Sequence, residues 1–179
     1  MAGATVMTRP VAAIILAAGK GTRMKSDLHK VLHPIAGRPM LLHLIDSVGQ
    51  LSPERVVVVT GAGREQVEAA VAPLGVGTAL QAEQLGTGHA VAQAREALAG
   101  FEGDVLILYG DVPLVETATM RRMIDRLGQG DCPAAVVLGF RPSDPAAYGR
   151  VIADADGRID RMVEFKDCLL YTSPSPRDS

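Results

Sequence analysis

The sequence is poor in cysteine and in net charge, and it has no long hydrophobic run. Its two cysteines, Cys132 and Cys168, have neither a paired nor a metal-type spacing, so a disulfide framework or zinc site is not favoured and a reducing cytoplasm fits. The 18 basic residues are balanced by 20 acidic ones, which gives no basic face for nucleic acid or a membrane surface. The longest apolar run, Val11 to Ala18, is far shorter than the ~20 residues that cross a bilayer.

What is present is enough apolar sequence for one folded domain. The chain has 179 residues, 47% of them hydrophobic, which is sufficient to bury a core. We expect residues 1–10 to be an unstructured lead-in and residues 11–167 to form the domain. The Ser/Pro-rich stretch 168–179 has no periodicity and does not look native to that domain.

Short aliphatic runs alternate with helical patterns along most of the chain. Four runs have the composition of strands buried in a parallel sheet: Val11 to Leu16, Arg55 to Thr60, Asp104 to Tyr109 and Ala134 to Phe140. Helical spacing joins Leu41, Leu44, Ile45 and Val48, and again Met120, Met123, Ile124 and Leu127, with weaker helices at Arg64 to Ala72 and Thr87 to Leu98. Arg150 to Ala153 and Arg158 to Phe165 resemble an antiparallel hairpin. The pattern predicts an α/β fold, a Rossmann-like doubly wound mixed sheet with ligands at the carboxyl ends of its strands.

The first predicted strand runs into a segment in which nearly all residues are small, Ala17 to Thr22. Small residues let backbone N–H groups approach a polyphosphate, and Arg23 and Lys30 add positive charge. The Walker spacing is absent, and Met24 stands where a dinucleotide-binding loop would have its third glycine. The segment therefore predicts a phosphate-binding loop of another type.

Each of these polar positions also has a structural interpretation. A glycine pair such as Gly19 and Gly21 is common in ordinary strand-to-helix turns, and Asp111 could cap a turn. His29 and His33 have the i, i+4 spacing of a metal pair, but without a third ligand nearby they are more typical of packing residues. From these residues alone both interpretations remain open.

Three ordered motifs resemble one enzyme family. Leu16 to Met24 followed by Lys30 is similar to the signature of sugar-1-phosphate nucleotidyltransferases. Gln81 to Ala90 and Leu108 to Leu114 resemble a narrower group, the bacterial bifunctional N-acetylglucosamine-1-phosphate uridyltransferases (GlmU). Tyr148 to Arg150, Glu164, Lys166 and Asp167 continue the resemblance, which covers about residues 11–167.

The resemblance implies transfer of UMP from UTP to N-acetylglucosamine-1-phosphate, which supplies cell-wall and lipopolysaccharide precursors. It implies that Asp111 holds Mg²⁺ and that Arg23 and Lys30 contact the phosphates as catalytic residues. The nucleotide would lie on Leu16, Ala17, Ala18 and Gly19, with its uracil against Gln81, Gly86 and Thr87. The sugar would face Tyr109, Gly110, Gly149 and Glu164.

The sequence departs from the family pattern at two points. His29 stands where the family usually has proline before the lysine, so we expect Lys30 to be less rigidly placed. The match stops at Asp167, before the family's two downstream asparagines and its acetyltransferase domain, which indicates a truncated chain; a trimer is expected only for the full-length family protein. Two alternatives to the uridyltransferase function remain. The chain could be another sugar-1-phosphate nucleotidyltransferase that uses dTTP or GTP, or it could be an inactive nucleotide-binding fragment.

Overall fold

The chain alternates strands and helices, as the pattern predicts. This computed structural model describes residues 9–19, 21 and 24–164. The strands are β1 Val11–Leu16, β2 Pro34–Ile35, β3 Arg38–Pro39, β4 Arg55–Thr60, β5 Gly77–Leu80, β6 Asp104–Tyr109, β7 Arg150–Ala153 and β8 Ile159–Val163. The α-helices are α1 Met40–Gly49, α2 Arg64–Val71, α3 Thr87–Gln93 and α4 Thr117–Leu127, with 3-10 turns at Lys30–Leu32 and Ala72–Leu74.

The central sheet contains four parallel strands in the order β5-β4-β1-β6. The strand β1 lies in the middle, where Ile14 pairs with Val57 of β4 and Ile107 of β6. Aliphatic residues fill it because both of its faces are covered. The predicted α/β fold and the bounds of β1, β4 and β6 are confirmed, whereas the mixed pairing expected for this sheet is not seen in the described residues, where all of its strands are parallel.

Alternate residues of the strands form two separate apolar layers. On one face Ile15 and Val58 join a cluster with buried residues of α1, α2 and α4: Leu41, Leu44, Ile45, Val48, Val67, Val71 and Met120. On the other face Ile14 and Val57 pack with Ala90, which lies in α3, and with Ala94, which follows its last residue. Because side chains of a strand point alternately to its two faces, helices are held on both sides of the sheet.

Within the part of the chain that the structure describes, the edge strand β6 is covered on one face only. Leu106 and Leu108 are buried, whereas Val105, Ile107 and Tyr109 are 41%, 45% and 51% exposed. The exposed side chains alternate with the buried ones and therefore share one face of the sheet. Tyr109 reaches solvent at the carboxyl end of the strand for this reason.

Several elements differ from the expectations. The helix expected to reach Leu98 ends at Gln93, and residues 94–100 continue as turns closed by bonds such as Leu98 N–H to the Ala94 carbonyl. The short strands β2, β3 and β5 were not predicted. β5 has four residues and begins with glycine, and β2 and β3 have two residues each and contain proline. Glycine and proline are depleted in strands.

The prediction of a strand at Ala134 to Phe140 is wrong. These residues form no strand within the described part of the chain, and Leu138 and Phe140 are 53% and 66% exposed. An aliphatic run becomes a strand only where a partner accepts its hydrogen bonds and covers its side chains. The run also crosses the boundary between two compact units, residues 1–136 and 137–179.

The second unit contains the predicted hairpin. Strands β7 and β8 pair antiparallel, with a register shift between Ile152 and Ala153. Asp154 closes the connecting turn, because its Oδ1 accepts hydrogen bonds from the backbone N–H groups of Asp156 and Arg158. Across the chain as far as the structure describes it, no helix is long and apolar enough to cross a membrane.

Candidate functional site

A cleft opens at the carboxyl edge of the central sheet. Leu16 is the last residue of β1 and pairs with Val59 of β4 and Tyr109 of β6, so the segments that follow these strands emerge side by side. The backbone is tied at this edge by Ala17 N–H to the Val59 carbonyl at 2.8 Å and Gly110 N–H to the Leu16 carbonyl at 2.9 Å. The cleft has a volume of about 360 Å³.

Nine of the residues that the sequence indicated line this one cleft. They are Leu16, Ala17, Ala18, Gly19, Gln81, Gly86, Thr87, Tyr109 and Asp111. Val31, Gln84 and Ala90 complete the lining. Residues separated by up to 95 positions in the sequence, from Leu16 to Asp111, thus share one concave surface at the edge where open α/β sheets bind ligands.

The other predicted site residues lie elsewhere or cannot be placed. Gly110 lies behind the cleft wall, where an added Cβ would be 3.1 Å from the Leu16 carbonyl oxygen and 3.2 Å from Val31 Cγ1. Gly149 and Glu164 belong to the second unit, in which a Cβ on Gly149 would lie 3.9 Å from Glu164 Oε2. Arg23 lies outside the described residues.

Lys30 and Asp111 form an ion pair at the cleft. The Lys30 ammonium donates to Asp111 Oδ2 at 2.5 Å, and the two side chains are 39% and 34% exposed. The 3-10 turn that carries Lys30 is anchored by the buried side chains of Val31 and Leu32. Gly21 has a φ of +59°, and an added Cβ there would lie only 2.6 Å from Lys30 Cβ. The glycine of the loop is therefore needed for space as well as for conformation.

His29 is held by a hydrogen bond that a proline could not make. Its φ of −57° would suit proline, but its backbone N–H donates to Gln66 Oε1 at 2.9 Å, and Gln66 Nε2 donates to the Asp27 carbonyl at 2.8 Å. Gln66, on helix α2, thereby fixes the segment that leads to Lys30. The sequence did not reveal these two hydrogen bonds; that Lys30 is less rigidly placed than with a preceding proline stays a prediction.

The His29 ring is buried without a hydrogen-bond partner among the described residues. It is 6% exposed, and neither Nδ1 nor Nε2 has a partner in that part of the chain. Burial disfavours the charged ring, so the pKa of His29 is lowered from its usual 6.5. The interpretation as a packing residue accounts for this environment.

The buried His29 ring predicts a stability that falls in acid. Because the pKa of His29 is lower in the folded state, the unfolded state binds the proton first as the pH drops. The His29 contribution is complete above pH 6.5 and is lost as the pH falls towards the folded-state pKa. Urea unfolding at several pH values should show a smaller pH dependence in His29→Leu than in the wild type. Gln66→Leu, which removes the clamp but keeps the ring, should retain the wild-type dependence; equal slopes in wild type and His29→Leu would contradict the prediction.

The other end of the cleft contains a group of amide and imidazole side chains. Gln81 Nε2 lies 3.1 Å from both the Gly86 carbonyl oxygen and His89 Nδ1. Gln84 Nε2 donates to the Ala18 carbonyl at 2.7 Å and so ties this end to the glycine loop. Sequence reasoning did not single out Gln84 or Gln66. The only signal for Gln84 and His89 was their place in the motif Gln81 to Ala90.

The parallel sheet with helices on both faces and a cleft at its carboxyl edge define an open α/β protein of the class that binds ligands at that edge. The sequence model of the MobA-like NTP transferase domain matches residues 13–161. The chain belongs to this family.

A curated relative agrees with this assignment, and a solved structure shares the fold. The chain is 71% identical over 159 residues to the bifunctional protein GlmU of Rhizorhabdus wittichii, a match covering 89% of this chain and 35% of that protein. It therefore spans about a third of the length of that relative. The structure resembles HddC from Yersinia pseudotuberculosis complexed with GMP-PN, with a TM-score of 0.65 and 23% identity over 86% of this chain and 68% of that one.

A manganese complex of Rv0371c from Mycobacterium tuberculosis is also similar. The TM-score is 0.52 and the identity 25%, covering 85% of this chain and 67% of that one. The resemblance to the GlmU family that the motifs indicated is confirmed by the sequence matches.

Proposed function

We propose that this chain carries the uridyltransferase site of a UDP-N-acetylglucosamine synthesis enzyme. The reaction would transfer UMP from UTP to N-acetylglucosamine-1-phosphate and release pyrophosphate, in the cytoplasm, for cell-wall and lipopolysaccharide precursors. The observation that carries the proposal is the single cleft that joins the small-residue loop, the Lys30–Asp111 pair and Gln81. High identity to GlmU supports the choice of substrates.

The shape of the cleft suits a nucleotide. Ala17, Ala18 and Gly19 present little side chain, so a phosphate can approach the backbone closely. Gln81, Gly86 and Thr87 at the other end offer amide, backbone and hydroxyl groups to the edge of a base. Arg23 would contact the phosphates, and Gly110, Gly149 and Glu164, with Tyr109, would face the sugar.

The chemistry needs charge neutralisation rather than a general base. A phosphate oxygen of the sugar phosphate attacks the α-phosphorus of UTP, the bond to the bridging oxygen breaks, and pyrophosphate takes the electron pair. Phosphate monoesters have a second pKa of about 6 and are mostly dianionic at neutral pH, so the nucleophile is already deprotonated. Lys30 and Arg23 would hold the anions together and stabilise the charge that develops.

Asp111 is the residue proposed to hold a divalent cation; the described residues contain no cluster of three or more His, Cys, Asp or Glu side chains, so water and substrate phosphates would supply the other ligands. Asp111 gives one oxygen to Lys30 and leaves Oδ1 for a further partner. Magnesium in phosphoryl-transfer sites is commonly held by one or two carboxylates together with water and substrate phosphates, and Asp111 meets that requirement. When bound, Mg²⁺ would supply positive charge at the phosphates. The manganese complex of Rv0371c supports a metal in this fold.

A nucleotide panel tests the proposed function. The chain is incubated with N-acetylglucosamine-1-phosphate, Mg²⁺ and each of UTP, CTP, dTTP, GTP and ATP, and pyrophosphate release is measured. We expect a strong preference for UTP. The same assay on a chain extended to the length of the GlmU relatives separates an incomplete site from a wrong assignment.

Each alternative gives a different result in this assay. Preference for dTTP or GTP in both chains would assign another sugar nucleotidyltransferase. Thermal stabilisation by UTP with Mg²⁺ but no product would indicate a nucleotide-binding fragment, and the extended chain would then recover activity. A trimer is proposed only for the extended chain.

A further inference from the structure

A hydrogen-bonded group beside the cleft sets the orientation of Gln81. The Gln81 side chain is 4% exposed, lines the cleft, and has its Nε2 within 3.1 Å of the Gly86 carbonyl oxygen and of His89 Nδ1. A carbonyl oxygen can only accept, so the nitrogen of the amide must be the atom that faces Gly86. The Gly86 carbonyl oxygen therefore determines that the Gln81 amide turns its nitrogen, and not its oxygen, towards Gly86.

The orientation of Gln81 determines the tautomer of His89. An amide nitrogen carries two hydrogens and no acceptor, so its second hydrogen is donated to His89 Nδ1. In a neutral imidazole only one nitrogen accepts, and the proton of His89 must therefore lie on Nε2. Gln93 Nε2 lies 3.1 Å from both His89 Nε2 and the His89 carbonyl oxygen, and a neutral ring cannot accept from both amides, so one of the two must turn its oxygen to the ring. Gln93 is the one that turns, because it is only half-buried and water can replace its bond to the His89 carbonyl, whereas Gln81 is 4% exposed.

The same arrangement leaves the Gln81 oxygen available. Oε1 lies on the opposite side of the amide carbon from Nε2, and no donor to it occurs among the described residues. The amide nitrogen is already hydrogen-bonded within the protein, and the buried amide oxygen can only accept. Such a side chain favours a ligand that presents a hydrogen-bond donor to the oxygen over one that presents a lone pair. Uracil carries a hydrogen on its N3, whereas cytosine has a lone pair at that position.

We infer that His89 is a specificity-determining positioning residue: it holds the Gln81 amide with its oxygen towards the base and so favours uracil over cytosine. The inference rests on the proposed function, since it concerns the base-binding end of the same cleft. His89 lies on α3, at the start of which Gly86 has a φ of +100°. This glycine brings its carbonyl within reach of Gln81, so Gly86 and His89 act on the amide together.

The test compares UTP and CTP as substrates, and in thermal-shift binding, for three variants. His89→Leu removes the acceptor and should lower the ratio of kcat/KM for UTP over CTP by about 10-fold or more, the effect of one misdirected hydrogen bond to a buried group. His89→Asn offers an oxygen near the position of Nδ1 and should keep the ratio within about 3-fold, because a similar acceptor remains. Gln93→Leu is the matched control on the far side of the ring and should keep it also.

The outcomes separate this inference from the proposed function. A wild-type chain without any preference for UTP, in catalysis or binding, would overturn both. A preference that persists in His89→Leu would overturn only the role of His89. If His89→Leu does not fold, ¹⁵N spectra of the wild-type ring decide: an unprotonated Nδ1 supports the inference and a protonated one overturns it.

Discussion

Asp111→Asn should lower kcat by at least about 100-fold in the extended enzyme, with a smaller change in KM for UTP, because interactions that stabilise charge in the transition state are typically worth that much. The substitution keeps the shape of the side chain and removes its charge. It would leave the Lys30 ammonium without the partner that now lies at 2.5 Å. It would also replace the carboxylate proposed for Mg²⁺ by a weaker, neutral ligand.

The opposite end of the same strand offers a matched control. Asp104 begins β6 and also forms an ion pair, with Arg9 at 2.9 Å, but it lies far from the cleft along the strand. Asp104→Asn should therefore leave kcat unchanged within about 2-fold, since the ion pair that it removes, in which Arg9 is 65% and Asp104 12% exposed, lies away from the cleft. A similar loss in both variants would indicate that folding rather than the cleft is affected, and intact kcat in Asp111→Asn would remove Asp111 from the reaction.

The Lys30–Asp111 pair shows what sequence reasoning could not supply. Each residue was identified by its motif, but 81 positions separate them, and no spacing rule states that they meet. Their contact depends on β1 and β6 being neighbours in the sheet, which the alternating pattern allowed without requiring. The bounds of β1, β4 and β6 could be predicted because they are long aliphatic runs.

The incorrect and missed predictions from the sequence have a common physical cause. Ala134 to Phe140 has the composition of a strand and no strand partner in the described chain, whereas the short β5, with its glycine, has one in β4. Strand formation depends on the neighbour as much as on the residues themselves. Gln66 was missed for a similar reason, because its clamp on Asp27 and His29 joins two elements through backbone groups, which carry no sequence signature.

Gly61→Ala should destabilise the protein by about 1–3 kcal/mol and deform the nucleotide cleft, because forcing an extra methyl group into a packed site moves its neighbours. Gly61 follows β4 and lies against the loop after β1. An added Cβ would be 2.6 Å from the Ala18 carbonyl oxygen and 3.0 Å from Ala18 Cα. These are backbone atoms, so the strain cannot be relieved by rotating a side chain. The Ala18 carbonyl also accepts the hydrogen bond from Gln84, which ties the two ends of the cleft together.

Gly77 provides the comparison that isolates this effect. It begins the adjacent strand β5, and an added Cβ there would meet the Val56 carbonyl oxygen at 3.5 Å, an ordinary contact. Gly77→Ala should therefore be neutral or slightly stabilising, by up to about 1 kcal/mol, because alanine reduces the freedom of the unfolded chain. Urea unfolding measures both free energies, and UTP binding should weaken only in Gly61→Ala. Equal stability and equal UTP affinity in the two variants would show that the loop after β1 can move away from Gly61, and that its conformation is less constrained than the close packing on Ala18 indicates.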